Sequence, residues 1–231
     1  MKHSGKAQQA AQELMVRAFV LLLGILILLL AGTVTRLFGS AVGAMFVGLA
    51  VLWFLFVLFT HYFFRDPDPR VPVDAGALVS PAHGKVDVID ETAEPEFMGG
   101  PCRRISIFLS VLDVHVQYAP MDGRVAMLKH KPGQYLNALR TDSASVNENV
   151  LLGFAPTGRP NDKVGVRLVA GVIARRIVPW AAAGDEVTRG ERISLIQFGS
   201  RVEVYLPRSV KIKVKLGDRV VGGETVVAVF E

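Results

Sequence analysis

Apolar and polar positions divide this chain into two regimes. Ala18 to Val34 is uncharged and almost wholly apolar, and after Thr35 and Arg36 a second uncharged run extends from Leu37 to Thr60. Crossing a ~30 Å hydrocarbon core takes about 20 apolar helical residues, so the second run is long enough and the first is at the short limit. A cleaved leader would also carry Lys2, Lys6 and Arg17 ahead of its apolar stretch. The second run follows almost at once, however, and this favours a helical hairpin whose backbone groups are satisfied within each helix. The expected spans are about 16–34 and 40–62, within an anchoring segment 1–64.

From residue 65 onward the period shortens to two. Lys85–Ile89, Arg104–Phe108, Gly165–Val169 and Val202–Leu206 alternate, with Gly and Pro punctuating at short intervals. That pattern predicts antiparallel strands. Gly133 to Val150 is the best candidate helix, with Leu136, Leu139 and Arg140 near helical spacing. The fold class expected is two transmembrane helices followed by a mainly β (α+β) domain over 65–231.

An internal repeat supports a β architecture. Gly184-Asp185-Glu186-Val187-Thr188-Arg189-Gly190-Glu191 matches Gly217-Asp218-Arg219-Val220-Val221-Gly222-Gly223-Glu224. Each copy reads as a Gly-Asp turn, a strand residue and a second glycine turn. The pattern looks like the barrel-sandwich hammerhead of biotinyl and lipoyl carriers. Those carriers present a modifiable lysine between Met or Asp neighbours, and this chain has neither Met-Lys-Met nor Asp-Lys-Ala.

Charge refines the picture. Lys2, Lys6 and Arg17 flank one end of the hairpin, Arg65 and Arg70 flank the other, and only Arg36 lies in the connection. The positive-inside bias then places both termini in the cytoplasm. Trp53, Tyr62, Phe63 and Phe64 gather toward the exit of the second run, as an interfacial belt, as packing between the helices, or as both. The remainder is only mildly basic, which gives no indication of nucleic acid. One cysteine, Cys102, excludes an intrachain disulfide and fits a reducing compartment. The five histidines show no metal-ligand spacing with Cys or carboxylates, so no metal is expected.

Five short motifs, in order, carry a resemblance: Phe63-Phe64-Arg65-Asp66-Pro67, Ser80-Pro81-Ala82-His83-Gly84-Lys85, Leu109-Ser110-Val111-Leu112-Asp113-Val114-His115, Asn147-Glu148-Asn149 and Phe198-Gly199-Ser200-Arg201-Val202, with Ala174-Arg175-Arg176-Ile177-Val178 between the last two. Over roughly residues 60–231 the chain resembles the short form of phosphatidylserine decarboxylase. The resemblance implies a proenzyme that cuts itself between Gly199 and Ser200, giving a β chain (1–199) and an α chain (200–231) held as a heterodimer. Ser200 would become a pyruvoyl group, a carbonyl cofactor that accepts the electrons left on Cα when CO₂ departs. It further implies His115 as the base for serine attack, with Asp113 beside it. On a strand those two side chains would share a face.

The family's matching motif reads Ser-Pro-Ala-Asp-Gly, with an aspartate thought to orient the histidine, where this chain has His83. An imidazole supplies no such negative charge. Either Asp113 takes over the orientation of His115, or self-cleavage is slow or absent. For substrate contacts the resemblance points to Tyr135, Asn137, Asn147 and Glu148 near the head group. Arg175 and Arg176 either meet the substrate phosphate or solvate a strand end. Lys211, Lys213 and Lys215 form one basic strand face, either a solvated surface or a contact with anionic lipid.

The implied activity is conversion of phosphatidylserine in the bilayer to phosphatidylethanolamine and CO₂, on the cytoplasmic side of the cell membrane. The alternatives are a related, archaetidylserine-like aminophospholipid as substrate, and a non-catalytic membrane adaptor built on the hammerhead repeat. The apolar hairpin also offers a surface for pairing with a second copy.

Overall fold

The computed structural model describes residues 3–34, 41–74, 76–136, 146–159, 162–171, 176–197 and 200–230. The chain forms two compact units, one spanning Gly5–Asp66 and the other Pro67–Glu231 together with Met1–Ser4.

The first unit is a pair of helices, α1 (Lys6–Val34) and α2 (Ala41–Phe63). α1 starts well before the apolar run, because Ala7, Gln8, Gln9, Ala10, Ala11, Gln12 and Glu13 are good helix formers. The rings of Phe19 and Trp53 lie 5.7 Å apart and tie the helices together. Leu21, Leu28 and Leu52 face outward, and both helices are long and apolar enough to cross a membrane. The aromatic cluster divides into a buried pair and an outward-facing ring. Phe63 and Phe64 are buried edge to face at 5.0 Å. Tyr62 points outward with the Arg65 guanidinium 4.0 Å over its ring.

The second unit is β structure throughout its described strands. Its first half holds β1 (Ala77–Val79), β2 (Gly84–Glu94), β3 (Gly100–Leu109), β4 (Val116–Tyr118), β5 (Gly123–Lys131) and β6 (Asn149–Pro156). Its second half holds β7 (Val164–Ala170), β8 (Arg176–Pro179), β9 (Glu186–Val187), β10 (Arg192–Gln197), β11 (Ser200–Leu206), β12 (Lys211–Ile212), β13 (Arg219–Val220) and β14 (Val226–Val229). All four alternating stretches read from the sequence lie within these strands.

The strand order reveals a duplication deeper than the glycine turns. A large sheet runs β13-β2-β3-β11-β7-β6-β5-β9, and two small sheets run β1-β14-β12 and β4-β10-β8. Read from either end, the large sheet gives the same succession of equivalent strands, and the small sheets match each other. The turns repeat in detail. Gly217 N–H donates to Val86 O and Gly184 N–H to Val125 O, while the carboxylates of Asp218 and Asp185 accept from Lys215 N–H and Ala182 N–H, both at 2.8 Å. Gly184 and Gly217 take φ of 99° and 95°, a region open to glycine without steric cost. Ser80-Pro81-Ala82-His83-Gly84-Lys85-Val86 superposes in role on Ala119-Pro120-Met121-Asp122-Gly123-Arg124-Val125, and the two segments exchange Val79 N–H to Pro120 O and Tyr118 N–H to Pro81 O.

The core lies on one face of the large sheet. Val202, Val204 and Leu206 of β11 pack there with Ile105, Ile107, Leu152, Phe154, Val166 and Leu168. The opposite face carries charge that is also largely buried: Arg201, Glu203, Arg104 and Arg167, each matched to a carboxylate or held by a carboxylate's partner. Of the helix expected over Gly133–Val150, Val146 is helical, while both flanks pair as β structure. Gln134 bridges Asn147, and β6 begins at Asn149. Asn147 and Asn149 serve β pairing here, and residues 137–145 lie outside the described set.

Candidate active site

Ser200 opens β11, the strand in the middle of the large sheet. It is fully buried, flanked by Leu109 of β3 on one side and Ala170 of β7 on the other. Strand alternation turns its side chain to the same face as Val202 and Val204. Its hydroxyl is buried and has no hydrogen-bond partner among the described residues. A buried hydroxyl left in this state costs on the order of 1–3 kcal/mol, and native structures rarely retain one without a reason.

Two chain segments lead away from this serine's neighbourhood; one carries His115 and the other bonds to its backbone. Leu109 runs into the turn 110–115, and β10 hands its Ile196 N–H to the His115 carbonyl at 3.1 Å just before the chain reaches Ser200. His115 is fully buried. Its Nδ1 lies 2.8 Å from the Asp113 carbonyl oxygen. A carbonyl only accepts, so Nδ1 carries the proton and the neutral ring keeps its lone pair on Nε2. Behind it, Ser194 donates to Gln117 Oε1 at 2.6 Å and Gln117 Nε2 donates to the His115 carbonyl at 2.6 Å. This buried relay fixes the backbone on which the imidazole stands.

Asp113 does not sit on a strand sharing a face with His115, as the sequence suggested. It lies in the turn before β4, and its carboxylate is directed elsewhere: Oδ2 accepts from the Ser110 amide (2.8 Å) and hydroxyl (2.7 Å), and Oδ1 from Arg219 (3.0 Å). Burial alone would raise this carboxyl, but the Ser110 donors and Arg219 outweigh it and hold it below the ordinary aspartate value. The residue thus orients His115 through its backbone while its side chain closes the turn.

His83 lies in the loop between β1 and β2, its ring edge-on to Tyr118 at 5.8 Å. The duplication gives this position a second meaning. Its counterpart Asp122 accepts the Arg189 N–H at 2.9 Å, and Arg189 corresponds to Gly222 in the repeat. His83 rests against Gly222, where a Cβ would come 3.0 Å from the His83 ring. Next to it Gly84 is obligatory, since a Cβ there would stand 2.3 Å from the Phe108 carbonyl oxygen.

On the other flank, Asn147 is fully buried and its amide is fully engaged. Oδ1 accepts from Leu136 N–H at 2.9 Å, and Nδ2 donates to Leu136 O at 2.8 Å and Ala170 O at 2.7 Å. It braces the 134–136 segment against the residue paired with Ser200. Glu148 beside it accepts from the Tyr135 hydroxyl and lies 3.1 Å from His130 Nε2. Arg176 is exposed at the start of β8, opposite Gln197. Gly199, Asn137 and Arg175 lie outside the described residues.

The sequence reading missed one neighbour of Ser200. Arg201 is completely buried on the opposite face, forked onto Asp87 at 2.9 and 2.6 Å and onto the Ser106 hydroxyl at 2.5 Å. The signal was available as an Asp within the alternating Lys85–Ile89 stretch and an Arg directly after the serine. Their pairing is long-range and leaves no local pattern. The Gln117–Ser194 pair had only a faint trace, two polar residues inside otherwise apolar strands.

A duplicated β unit with a buried, uncompensated serine hydroxyl at the head of its central strand, and a backbone-oriented histidine in the adjoining turn, defines a class of protein built around one reactive backbone position. Comparison with known proteins gives that class a family. The family model described as phosphatidylserine decarboxylase matches residues 56–228. A protein of Symbiobacterium thermophilum named phosphatidylserine decarboxylase proenzyme is 44% identical over 187 residues, covering 81% of this chain and 83% of its own. Proteins of the same name from Desulfotalea psychrophila and Ruegeria pomeroyi are 44% and 42% identical, over 76% and 82% of this chain and 83% and 84% of their own. The chain belongs to the phosphatidylserine decarboxylase family.

Proposed function

We propose that this chain is a membrane-anchored phosphatidylserine decarboxylase, made as a proenzyme and activated by cutting itself between Gly199 and Ser200. The observation that carries the reading is the buried Ser200 hydroxyl with no partner at the head of the central strand. It is a nucleophile that no structural hydrogen bond has claimed.

In activation, the Ser200 Oγ adds to the Gly199 carbonyl carbon and the Gly199–Ser200 C–N bond breaks, leaving an ester. The hydroxyl proton passes to the Nε2 lone pair of His115 and on to the departing amine. Loss of the Ser200 Cα proton then expels the Gly199 carboxylate. Water takes the place of nitrogen, which leaves as ammonia, and a pyruvoyl group remains on residue 200. The residues present fit that product, because the position is buried and, among the described residues, no donor is bonded to the Ser200 hydroxyl. When formed, the pyruvoyl carbonyl supplies the electron sink that α-decarboxylation needs.

The chain's own residues hold and protonate around that point. The Asp113 carbonyl fixes the His115 tautomer, which answers the loss of a carboxylate at position 83 without asking the Asp113 side chain to move. Asn147 braces the wall beside Ala170. Glu148, with Tyr135 and Asn137, serves the substrate head group and presents a carboxylate suited to its ammonium, and Arg176, with its sequence neighbour Arg175, serves the phosphate side. His83 closes the loop against Gly222 and Tyr118. The helices keep the site at the bilayer surface with both termini in the cytoplasm, so the acyl chains never enter water.

The test is CO₂ release from phosphatidylserine vesicles by the purified full chain, with and without prior borohydride reduction. Turnover abolished by borohydride supports the reading. Turnover insensitive to borohydride, or absent from a chain shown to be cleaved, contradicts it.

A further inference from the structure

At the β13 edge of the large sheet, Arg219 faces Lys85, Lys85 faces Phe108, and Phe108 in turn faces Arg201, the residue after the reactive serine. Lys85, Asp87, Phe108, Leu216 and Gly217 line an open cleft of about 450 Å³ there. Two turns rise beside it, and each carries an exposed leucine: Leu112 is 61% and Leu216 67% exposed. They are linked, since Arg219 at the end of one turn pairs with Asp113 of the other at 3.0 Å.

Exposed apolar side chains mark a protein or membrane contact surface where they gather in one patch rimmed by polar residues. The charges around these two are sorted. Asp87 is paired with Arg201 and Asp113 with Arg219, while Asp218 accepts from the Lys215 amide and keeps its charge. Lys85, Lys213 and Lys215 remain exposed, with no ion pair among the described residues. Apolar tips ringed by uncommitted cations complement an anionic bilayer surface, with leucines at the acyl boundary and lysines at lipid phosphates.

We propose that this rim is the lipid-docking surface of the β unit, with Leu112 and Leu216 entering the bilayer and Lys85, Lys213 and Lys215 engaging anionic head groups. It deepens the reading of the chain as an enzyme acting on a membrane lipid, and rests on it. The rim includes the turn 110–115, whose last residue is His115.

The test uses the full chain carrying Ser200→Ala, so that neither cleavage nor turnover enters the readout. Leu112→Cys, Leu216→Cys and, as control, Thr157→Cys are each labelled with an environment-sensitive fluorophore; Cys102 is buried and stays unlabelled. The proteins are placed in nanodiscs of phosphatidylcholine and phosphatidylglycerol in equal parts, with or without acyl-chain doxyl quencher. The proposal expects blue-shifted emission and several-fold stronger quenching at 112 and 216 than at 157, with the contrast reduced in pure phosphatidylcholine. Emission at 112 and 216 matching that at 157 overturns it. A shift that ignores the quencher but grows with protein per disc also overturns it, and marks a second copy of this chain as the occupant.

Discussion

Ser200 and Arg201 are adjacent residues with opposite situations. The serine hydroxyl is buried and unsatisfied, and the arginine is buried and satisfied on every side. Replacing Ser200 with Ala removes a polar atom that is already uncompensated. The expected result is a chain that never cleaves, with thermal stability equal to or above that of the uncut parent, read by calorimetry. A clear loss of stability would mean the hydroxyl has a structural partner after all. Arg201→Met should do the reverse: it removes the fork onto Asp87 and the bond to Ser106 and costs about 1–3 kcal/mol in denaturant unfolding, less than for a fully buried pair because Asp87 is partly exposed. The serine and the histidine were legible because they sit in short motifs. Arg201, Glu203 and Tyr205 were not, because alternation along β11 reads them as a solvent face, whereas they are buried among long-range partners such as Arg104 and Ser106.

Among the elements, the turn 110–115 matters most. It was expected as a strand, and the hydrogen bonds between Ser110 and Asp113 explain why it is not, since a side chain that satisfies its own turn's amide competes with a ladder. Because the folded-state Asp113 carboxyl is held below its ordinary value, its contribution is complete above that value and disappears as pH falls through the lowered one. Acid titration of the wild-type chain should therefore show a stability limb below about pH 4, and Asp113→Asn should flatten it while lowering stability at neutral pH. An unchanged acid limb in that variant would remove the carboxylate from this account. His115→Gln should leave the fold intact and slow cleavage by on the order of a hundredfold or more, the usual weight of a general base, as read by gel densitometry over time. The glycine turns of the repeat were visible in the sequence. The matching of Ser80–Val86 with Ala119–Val125 is faint in the sequence, since only the prolines, glycines and valines are identical. It took the strand order to show that His83 and Asp122 hold equivalent places.

At the scale of the whole molecule, two apolar helices and a duplicated β unit were both readable, the first from hydropathy and the second from period-two alternation. The extent of α1 was less so, because its polar first turns are helical by propensity rather than by pattern. The chain's central claim is that the unpartnered Ser200 hydroxyl turns an ordinary peptide bond into a cofactor, with a backbone-oriented His115 as the base. Intact mass of the purified protein under denaturing conditions tests it most directly. The account predicts two species that divide the sequence between Gly199 and Ser200, the smaller one carrying a keto group in place of its amino terminus and refractory to Edman degradation. A single uncut chain, stable on prolonged incubation, would contradict it.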